Sequence, residues 1–408
     1  MNPKKSTLTR RNFLRGALAA PVGVALASTL AARADEPAKS VPASGSPPVP
    51  TRKLGRNGPA VSMLIMGGDM PAHSADFLDL SWAMGIRYFD TAAKYGNGND
   101  ELHVADFLKA HPERRKELFL VSKDYPLQGP GQLLEMIDRR LARCNTPYLD
   151  LFFIHQLCPK VYGEDSVNWP KSDAFKRVAE QLKSSGKCRM AGFSCHGGPE
   201  YIQAAADGGF VDAVMVQYTP FFTPGDAFDR ALTACHDKGI GLIAMKTLRH
   251  AVEVPKRLPE FDKLGLTTHQ ALLHAVWSDP RISAICNSMQ NAGQMESSVA
   301  AVRSYKTPLK TAQTNLLRDT VLAGRRTFCP GCPACHQNAG QLGFAFLDIA
   351  RFVTYYEQDG NLRARDLYRQ LPAGQRDASA VSLAALRDAC QFQTDYPEII
   401  RRAERYFI

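Results

Sequence analysis

The chain has 408 residues, 45% of them apolar and 22% charged, a composition with ample material for a buried core. Its formal charge is +10, but residues 1–34 carry six basic residues (Lys4, Lys5, Arg10, Arg11, Arg15, Arg33) and no acid, so ten minus six leaves only +4 for the remainder. No basic run has aromatics interleaved with it, which argues against nucleic acid as a partner.

The first segment reads as a targeting signal. Thr9-Arg10-Arg11-Asn12-Phe13-Leu14 precedes a mildly apolar stretch, Gly16 to Ala32, that ends in Ala32-Arg33-Ala34. Paired arginines, a short apolar run and a small-residue cleavage site predict a twin-arginine signal over 1–34, export by the twin-arginine (Tat) machinery, and a periplasmic location. The rival reading is an uncleaved anchor, against which the apolar run contains Pro21 and is short for a span. Residues 35–50, rich in Pro and Ser, predict a disordered linker. No later segment reaches the roughly 18 apolar residues of a span, so the mature chain is expected to have no stable membrane segment.

From residue 51 short apolar runs alternate with amphipathic stretches. Asn57-Gly58 within Thr51 to Ser62 predicts a small β-hairpin. Eight strand candidates follow at 63–68, 87–91, 118–123, 149–155, 189–195, 213–218, 241–246 and 282–288, apolar on both faces as buried parallel strands are. Helical patterns lie between them, for example Phe77–Met84, Leu133–Arg143, Phe175–Lys183 and Ala227–Lys238. This rhythm predicts a (β/α)8 TIM barrel over 51–305. A doubly wound sheet is the runner-up, but Gly67-Gly68 does not supply the Gly-x-Gly-x-x-Gly turn that fold usually carries.

A (β/α)8 barrel does its chemistry at the C-terminal ends of its strands. There the sequence offers Asp90 and Tyr95, then Lys123, then His155, with Ser194, Cys195, His196, Gln217, Met245 and Lys246 further on. Opposite charges on adjacent buried strands predict an Asp90–Lys123 pair. An ammonium beside Tyr95 is expected to lower its pKa and make it a proton donor. His155 is expected to orient a carbonyl oxygen by hydrogen bonding. Each residue alone has a bland reading, as a helix cap, an ion-pair partner or a satisfied core histidine. Together on consecutive strand ends they point to a catalytic site.

The run Phe89-Asp90-Thr91-Ala92-Ala93-Lys94-Tyr95-Gly96-Asn97-Gly98 with Glu101 resembles the aldo-keto reductase signature. Val121-Ser122-Lys123 and Leu149-Asp150-Leu151-Phe152-Phe153-Ile154-His155 resemble that family's lysine and histidine segments, in order and spacing. The resemblance covers residues 51 to about 305. It implies Tyr95 as general acid, Asp90 and Lys123 tuning it, His155 orienting substrate, and NADP or NAD lying across the strand ends near Gly67, Ser194, Gln217, Met245, Lys246 and Ser288. Gln217 matches the family's carboxamide-binding glutamine. Departures are visible too. The turn after the eighth strand reads Ile285-Cys286-Asn287-Ser288-Met289-Gln290 and carries no Arg or Lys for a 2′-phosphate; Ser298 stands where the family has Asn. Met245 replaces the usual ring-stacking aromatic, and Cys195 the usual Asn. Gly192-Phe193-Ser194-Cys195-His196 and Ala244-Met245-Lys246 resemble a subgroup whose barrels carry iron–sulfur tails.

Residues 306–408 predict a helical, ferredoxin-like extension. Cys329, Cys332 and Cys335 stand at C-x2-C-x2-C spacing, the opening of a bacterial ferredoxin motif. The position for the cysteine that would serve a second cluster reads Ala339-Gly340. Cys390 lies in a segment resembling the ferredoxin family's C-P-x-G-x-D-x-P-x-x-I ending, and counting back at that spacing reaches Ala380, Leu383 and Leu386. Every ligand of one cluster is absent and all four of the other remain, which predicts one [4Fe–4S] cluster on Cys329, Cys332, Cys335 and Cys390. Rival readings are zinc on the same cysteines or on three with His336, a c-type haem at Cys332-Pro333-Ala334-Cys335-His336, and a disulfide. Against haem, no His, Met or Lys follows His336 as a second axial ligand.

The expectation is an exported oxidoreductase acting on a small carbonyl or alcohol, with the cluster passing electrons, to a partner protein or within the chain, or serving structure. The alternative is a ligand-binding barrel without turnover and with a purely structural metal centre.

Overall fold

The structure is a computed structural model that describes residues 45–69, 73–196, 198–222, 224–248, 254–323, 329, 344–380, 382–390 and 394–408. The expected signal segment, most of the linker, Cys332 and Cys335 lie outside the described residues.

A hairpin opens the chain, β1 (Thr51–Lys53) pairing antiparallel with β2 (Ala60–Ser62). Eight parallel strands then close on themselves: β3 (Leu64–Gly67), β4 (Tyr88–Asp90), β5 (Phe119–Asp124), β6 (Leu149–Ile154), β7 (Cys188–Cys195), β8 (Ala213–Gln217), β9 (Gly241–Met245) and β10 (Ile282–Asn287). Strand β10 returns to β3, with Ile285 opposite Leu64 and Asn287 opposite Met66. Each strand ends within one residue of its expected position, and the doubly wound alternative is set aside by this closure.

Side chains alternate across each strand and sort into two cores. Ile65, Tyr88, Val121, Leu151, Phe153, Met190, Met215, Ile243 and Met245 fill the interior of the barrel. Leu64, Met66, Phe89, Leu120, Phe152, Ile154, Phe193, Val214 and Leu242 face outward under the helices. This two-sided burial is why the strands read as continuous apolar runs. Close packing shows at Gly192 of β7, where a Cβ would meet the Ala213 carbonyl oxygen at 1.9 Å. The hairpin covers the N-terminal end of the barrel. Leu54 and Val61 join the interior core, and Arg52 donates to the carbonyls of Trp277 at 3.0 Å and Ile282 at 2.6 Å.

The outer helices follow from spacing and caps. Asp173–Ser184 buries Phe175, Val178, Ala179 and Leu182 on one face, and the Ser172 hydroxyl at its N-cap accepts from the Phe175 amide. Thr268–Trp277 starts with a reciprocal capping box between Thr267 and Gln270. Beyond the barrel, Thr311–Ala323 packs Leu317 and Val321 against Leu272 and Phe261. The tail then forms helices at Phe346–Asp359, Arg363–Gln370, Leu383–Ala389 and Tyr396–Phe407. They share a separate apolar core that includes Phe346, Ile349, Phe352, Tyr396 and Phe407. No helix among the described residues is long and apolar enough to cross a membrane.

Candidate active site

Parallel closure delivers the polar strand ends to one mouth. Lys123, at the end of β5, is fully buried. Its ammonium donates to Asp90 Oδ2 at 2.6 Å, to the Thr91 carbonyl at 3.0 Å and to the Tyr95 hydroxyl at 3.3 Å. Asp90 closes β4, and Tyr95 begins the tight turn Tyr95–Gly98 that follows. His155 comes directly after β6, its amide donating to the Asp124 carbonyl at 2.8 Å. Its ring meets that of Tyr95 edge-on at 5.3 Å between centroids. The four residues expected to carry the chemistry therefore share one site.

Burial sets their charge states. Asp90 has its pKa raised by desolvation, with the Lys123 ammonium pulling the other way. His155 is held well below the usual imidazole range, by burial first and then by the charges of Lys123, Lys246 and Lys94. It is therefore neutral near pH ~7. Its Nδ1 is buried without a partner among the described residues. Tyr95 differs from the sequence-based expectation: its pKa is raised, not lowered. Burial of the hydroxyl is the main cause and the Asp90 charge the next, while the Lys123 ammonium is already committed to Asp90. The phenol keeps its proton, which is the state a donor needs.

A second layer of groups was not foreseen. His73 donates to Asp100 Oδ1 at 2.7 Å and the Thr91 hydroxyl donates to Asp100 Oδ2 at 2.6 Å. Burial works against the Asp100 charge, but these bonds outweigh it and lower its pKa. Gly68 is forced here, since a Cβ would meet Tyr95 Cδ2 at 2.6 Å and Asp100 Oδ2 at 2.7 Å. The Cys286 thiol of β10 lies against the Asp90 carboxylate. Tyr125, two residues past Lys123, packs on His155 at 4.7 Å and donates to Gln156 Oε1 at 2.9 Å. Asp69, Asn97, Gln156 and Lys246 all hold left-handed backbone angles (φ 69°, 56°, 55° and 58°), so strain concentrates at this mouth. Asp100 and Tyr125 flank recognisable motifs, and only their adjacency could have flagged them.

The residues expected to hold a nicotinamide also sit at this face. Gln217 and Met245 end β8 and β9 and Ser194 is the last residue but one of β7; together they offer a hydroxyl, an amide and a thioether, a set that fits a carboxamide-bearing ring. The Ser194 hydroxyl accepts from the Gln156 amide at 2.9 Å, and Ser288 donates to the Gly68 carbonyl at 3.3 Å. Gly67 lies under Cys286 and Ser288, where a Cβ would meet both at 3.0 Å. At the expected phosphate turn Asn287 Nδ2 donates to the Ser298 hydroxyl at 3.0 Å, and residues 285–298 hold no Arg or Lys. Lys246 is the strand-end cation on that side.

In the tail, Cys329 and Cys390 are both buried in the same small core although 61 positions separate them in sequence. A cleft of about 790 Å³ opens beside Cys390, Thr394 and Arg387. Cys332 and Cys335 lie outside the described residues, and no set of three or more ligating side chains converges among the described ones.

Residues 67–313 match the model of the aldo/keto reductase family, and the chain belongs to that family. It is 34% identical over 115 residues to the methylglyoxal reductase YeaE of Escherichia coli, covering 27% of this chain and 35% of that one. It is 32% identical over 171 residues to a glyoxal reductase of Bacillus subtilis, covering 40% and 54% respectively. The matches span only about a third to a little over half of these curated relatives. An aldo-keto reductase structure from Bacillus halodurans aligns with a TM-score of 0.53 and 20% identity over 67% of this chain and 96% of its own, which supports the fold.

The depressed His155 pKa makes a stability prediction. Below its unfolded pKa of ~6.5 the unfolded chain takes up a proton that the folded site refuses, so stability falls on acidification. His155→Gln removes this term. Its urea midpoint is expected to change less between about pH 7.5 and about pH 5.5 than that of the unmodified protein.

Proposed function

We propose that the protein is an exported oxidoreductase that reduces a small carbonyl compound, or oxidises the corresponding alcohol. Tyr95 is the proton donor, and a nicotinamide held near Ser194, Gln217, Met245 and Lys246 would supply hydride to the carbonyl carbon. The observation that carries this reading is the buried Lys123 ammonium bridging Asp90 and the Tyr95 hydroxyl beside a neutral His155.

The chain's own residues do the following. A substrate carbonyl oxygen accepts hydrogen bonds from the Tyr95 hydroxyl and the His155 imidazole. As negative charge gathers on that oxygen, the proton moves from the Tyr95 oxygen to it. The phenolate left behind faces Lys123 at 3.3 Å, so the charge is met by a cation already in place. Asp90 faces that cation at 2.6 Å and meets its charge within the buried wall of the barrel. The methylglyoxal and glyoxal reductases among its relatives support a small carbonyl as substrate.

The twin-arginine start and the four tail cysteines support export in the folded state with one [4Fe–4S] cluster on Cys329, Cys332, Cys335 and Cys390. Cys329 and Cys390 in one buried core favour a shared centre over scattered thiols. A second reading, a binding barrel without turnover, draws on one feature: the phosphate turn satisfies its own polar groups through Asn287 and Ser298 and brings no cation.

Tyr95→Phe separates the two. Carbonyl reduction is expected to drop ~10²–10⁴-fold with little change in ligand affinity; retained activity defeats the catalytic assignment. For the tail, protein purified without oxygen is expected to be brown and to contain about four irons and four sulfides per chain. Stoichiometric zinc or a haem band in their place would show a different centre.

A further inference from the structure

The buried pair of His73 and Asp100 takes no part in the chemistry above, yet one residue connects it to the catalytic ammonium. His73 Nδ1 lies 2.7 Å from Asp100 Oδ1, and both side chains are only 4% exposed, so protein groups rather than water hold the carboxylate. Two helix starts fix the pair. Asp100 is the first residue of the helix Asp100–Ala110. His73 precedes Ser74, which caps the helix Ala75–Ala83 by accepting from the Phe77 amide at 3.2 Å. The His73 ring rests against that of Phe77 at 6.0 Å between centroids.

Thr91, itself buried, joins this pair to the site. Its hydroxyl donates to Asp100 Oδ2 at 2.6 Å, its amide donates to the Val121 carbonyl at 2.9 Å, and its carbonyl accepts from Lys123 at 3.0 Å. All three polar groups of Thr91 are anchored, and loss of the hydroxyl bond would leave the peptide that carries the carbonyl free to tilt. The Lys123 ammonium has three N–H bonds and directs them at three acceptors: Asp90, Thr91 and the Tyr95 hydroxyl. The bond to Tyr95, at 3.3 Å, is the longest of the three, so it is the first lost when the ammonium turns. A pair that served only to join two helix starts would leave Thr91 alone; here the second Asp100 oxygen is committed to it.

We infer that His73 and Asp100 are positioning residues for proton donation: they fix Thr91, and Thr91 aims the Lys123 ammonium at the Tyr95 oxygen. His73 holds Asp100 in place, Asp100 holds the Thr91 hydroxyl, and the carbonyl of the same residue sets the angle of the cation that meets the phenolate. The kinetic consequence rests on the carbonyl-reductase reading; the effect on Tyr95 does not.

Two measurements on the full-length protein test it. In the first, tyrosines carry carbon-13 at the ring carbon that bears the hydroxyl, and the Tyr95 resonance is assigned by its loss in Tyr95→Phe. That resonance is expected to shift in Asp100→Ala and in Thr91→Val, and to return toward its original position in His73→Asn relative to His73→Ala, because Asn keeps an N–H at the place of Nδ1. The second is turnover of methylglyoxal with reduced nicotinamide dinucleotide. Asp100→Ala and Thr91→Val are each expected to lower kcat about tenfold with KM for the aldehyde unchanged, and the double variant to be no slower than either alone. Thr91→Val removes only a hydroxyl and gives the same readings should Asp100→Ala not fold. The proposal is overturned if the Tyr95 resonance stays in place in folded variants, or if the two substitutions lower kcat independently. A resonance that shifts in a protein that reduces no aldehyde supports the positioning role and counts against the reductase reading alone.

Discussion

The site depends on one buried ion pair, the Lys123 ammonium against the Asp90 carboxylate at 2.6 Å in the wall of the barrel. Removing two charges from water costs several kcal/mol per ion, and only good geometry with further hydrogen bonds repays it. The Thr91 carbonyl and the Tyr95 hydroxyl supply those bonds. The barrel makes this arrangement possible, because adjacent parallel strands bring Asp90 and Lys123 to the same height. Tyr95 then receives a fixed cation without being ionised by it, since burial and Asp90 together hold its proton on.

Around this pair the mouth is tightly constrained. Gly68 leaves no room for a side chain between Tyr95 and Asp100, and Asp69, Gln156 and Lys246 turn the chain through left-handed angles just past strands β3, β6 and β9. The segments after β6 and β9 also touch the tail, through Lys160 and Lys246. Both contacts fall on the Phe346–Asp359 helix, which is thereby tied to the end of the barrel that carries His155.

Much of the fold was legible in the sequence because its signals are local. Apolar runs with turns at regular intervals give the strands, and apolar positions at helical spacing, as in Phe175–Lys183, give the helices between them. The quartet was legible because barrel chemistry gathers at strand ends, which converts an order in sequence into a place in space. The direction of the Tyr95 shift was not, because it depends on how much solvent the fold removes and on whether Lys123 has a nearer partner. Asp100, Cys286 and Tyr125 were missed for a similar reason: each becomes significant only through neighbours distant in sequence, such as His73 for Asp100 and Asp90 for Cys286.

The source of the hydride is the point on which the account turns, since residues 285–298 at the expected phosphate turn hold no Arg or Lys and the cluster proposed for the tail would be another source of electrons. Reduced nicotinamide dinucleotide deuterated at C4, incubated with protein and an aldehyde, tests it by mass spectrometry of the product alcohol. The account predicts deuterium on the carbinol carbon, delivered from one face of the nicotinamide ring. Alcohol formed with no deuterium, and only when a one-electron reductant is added, would contradict it and place the reducing electrons in the tail.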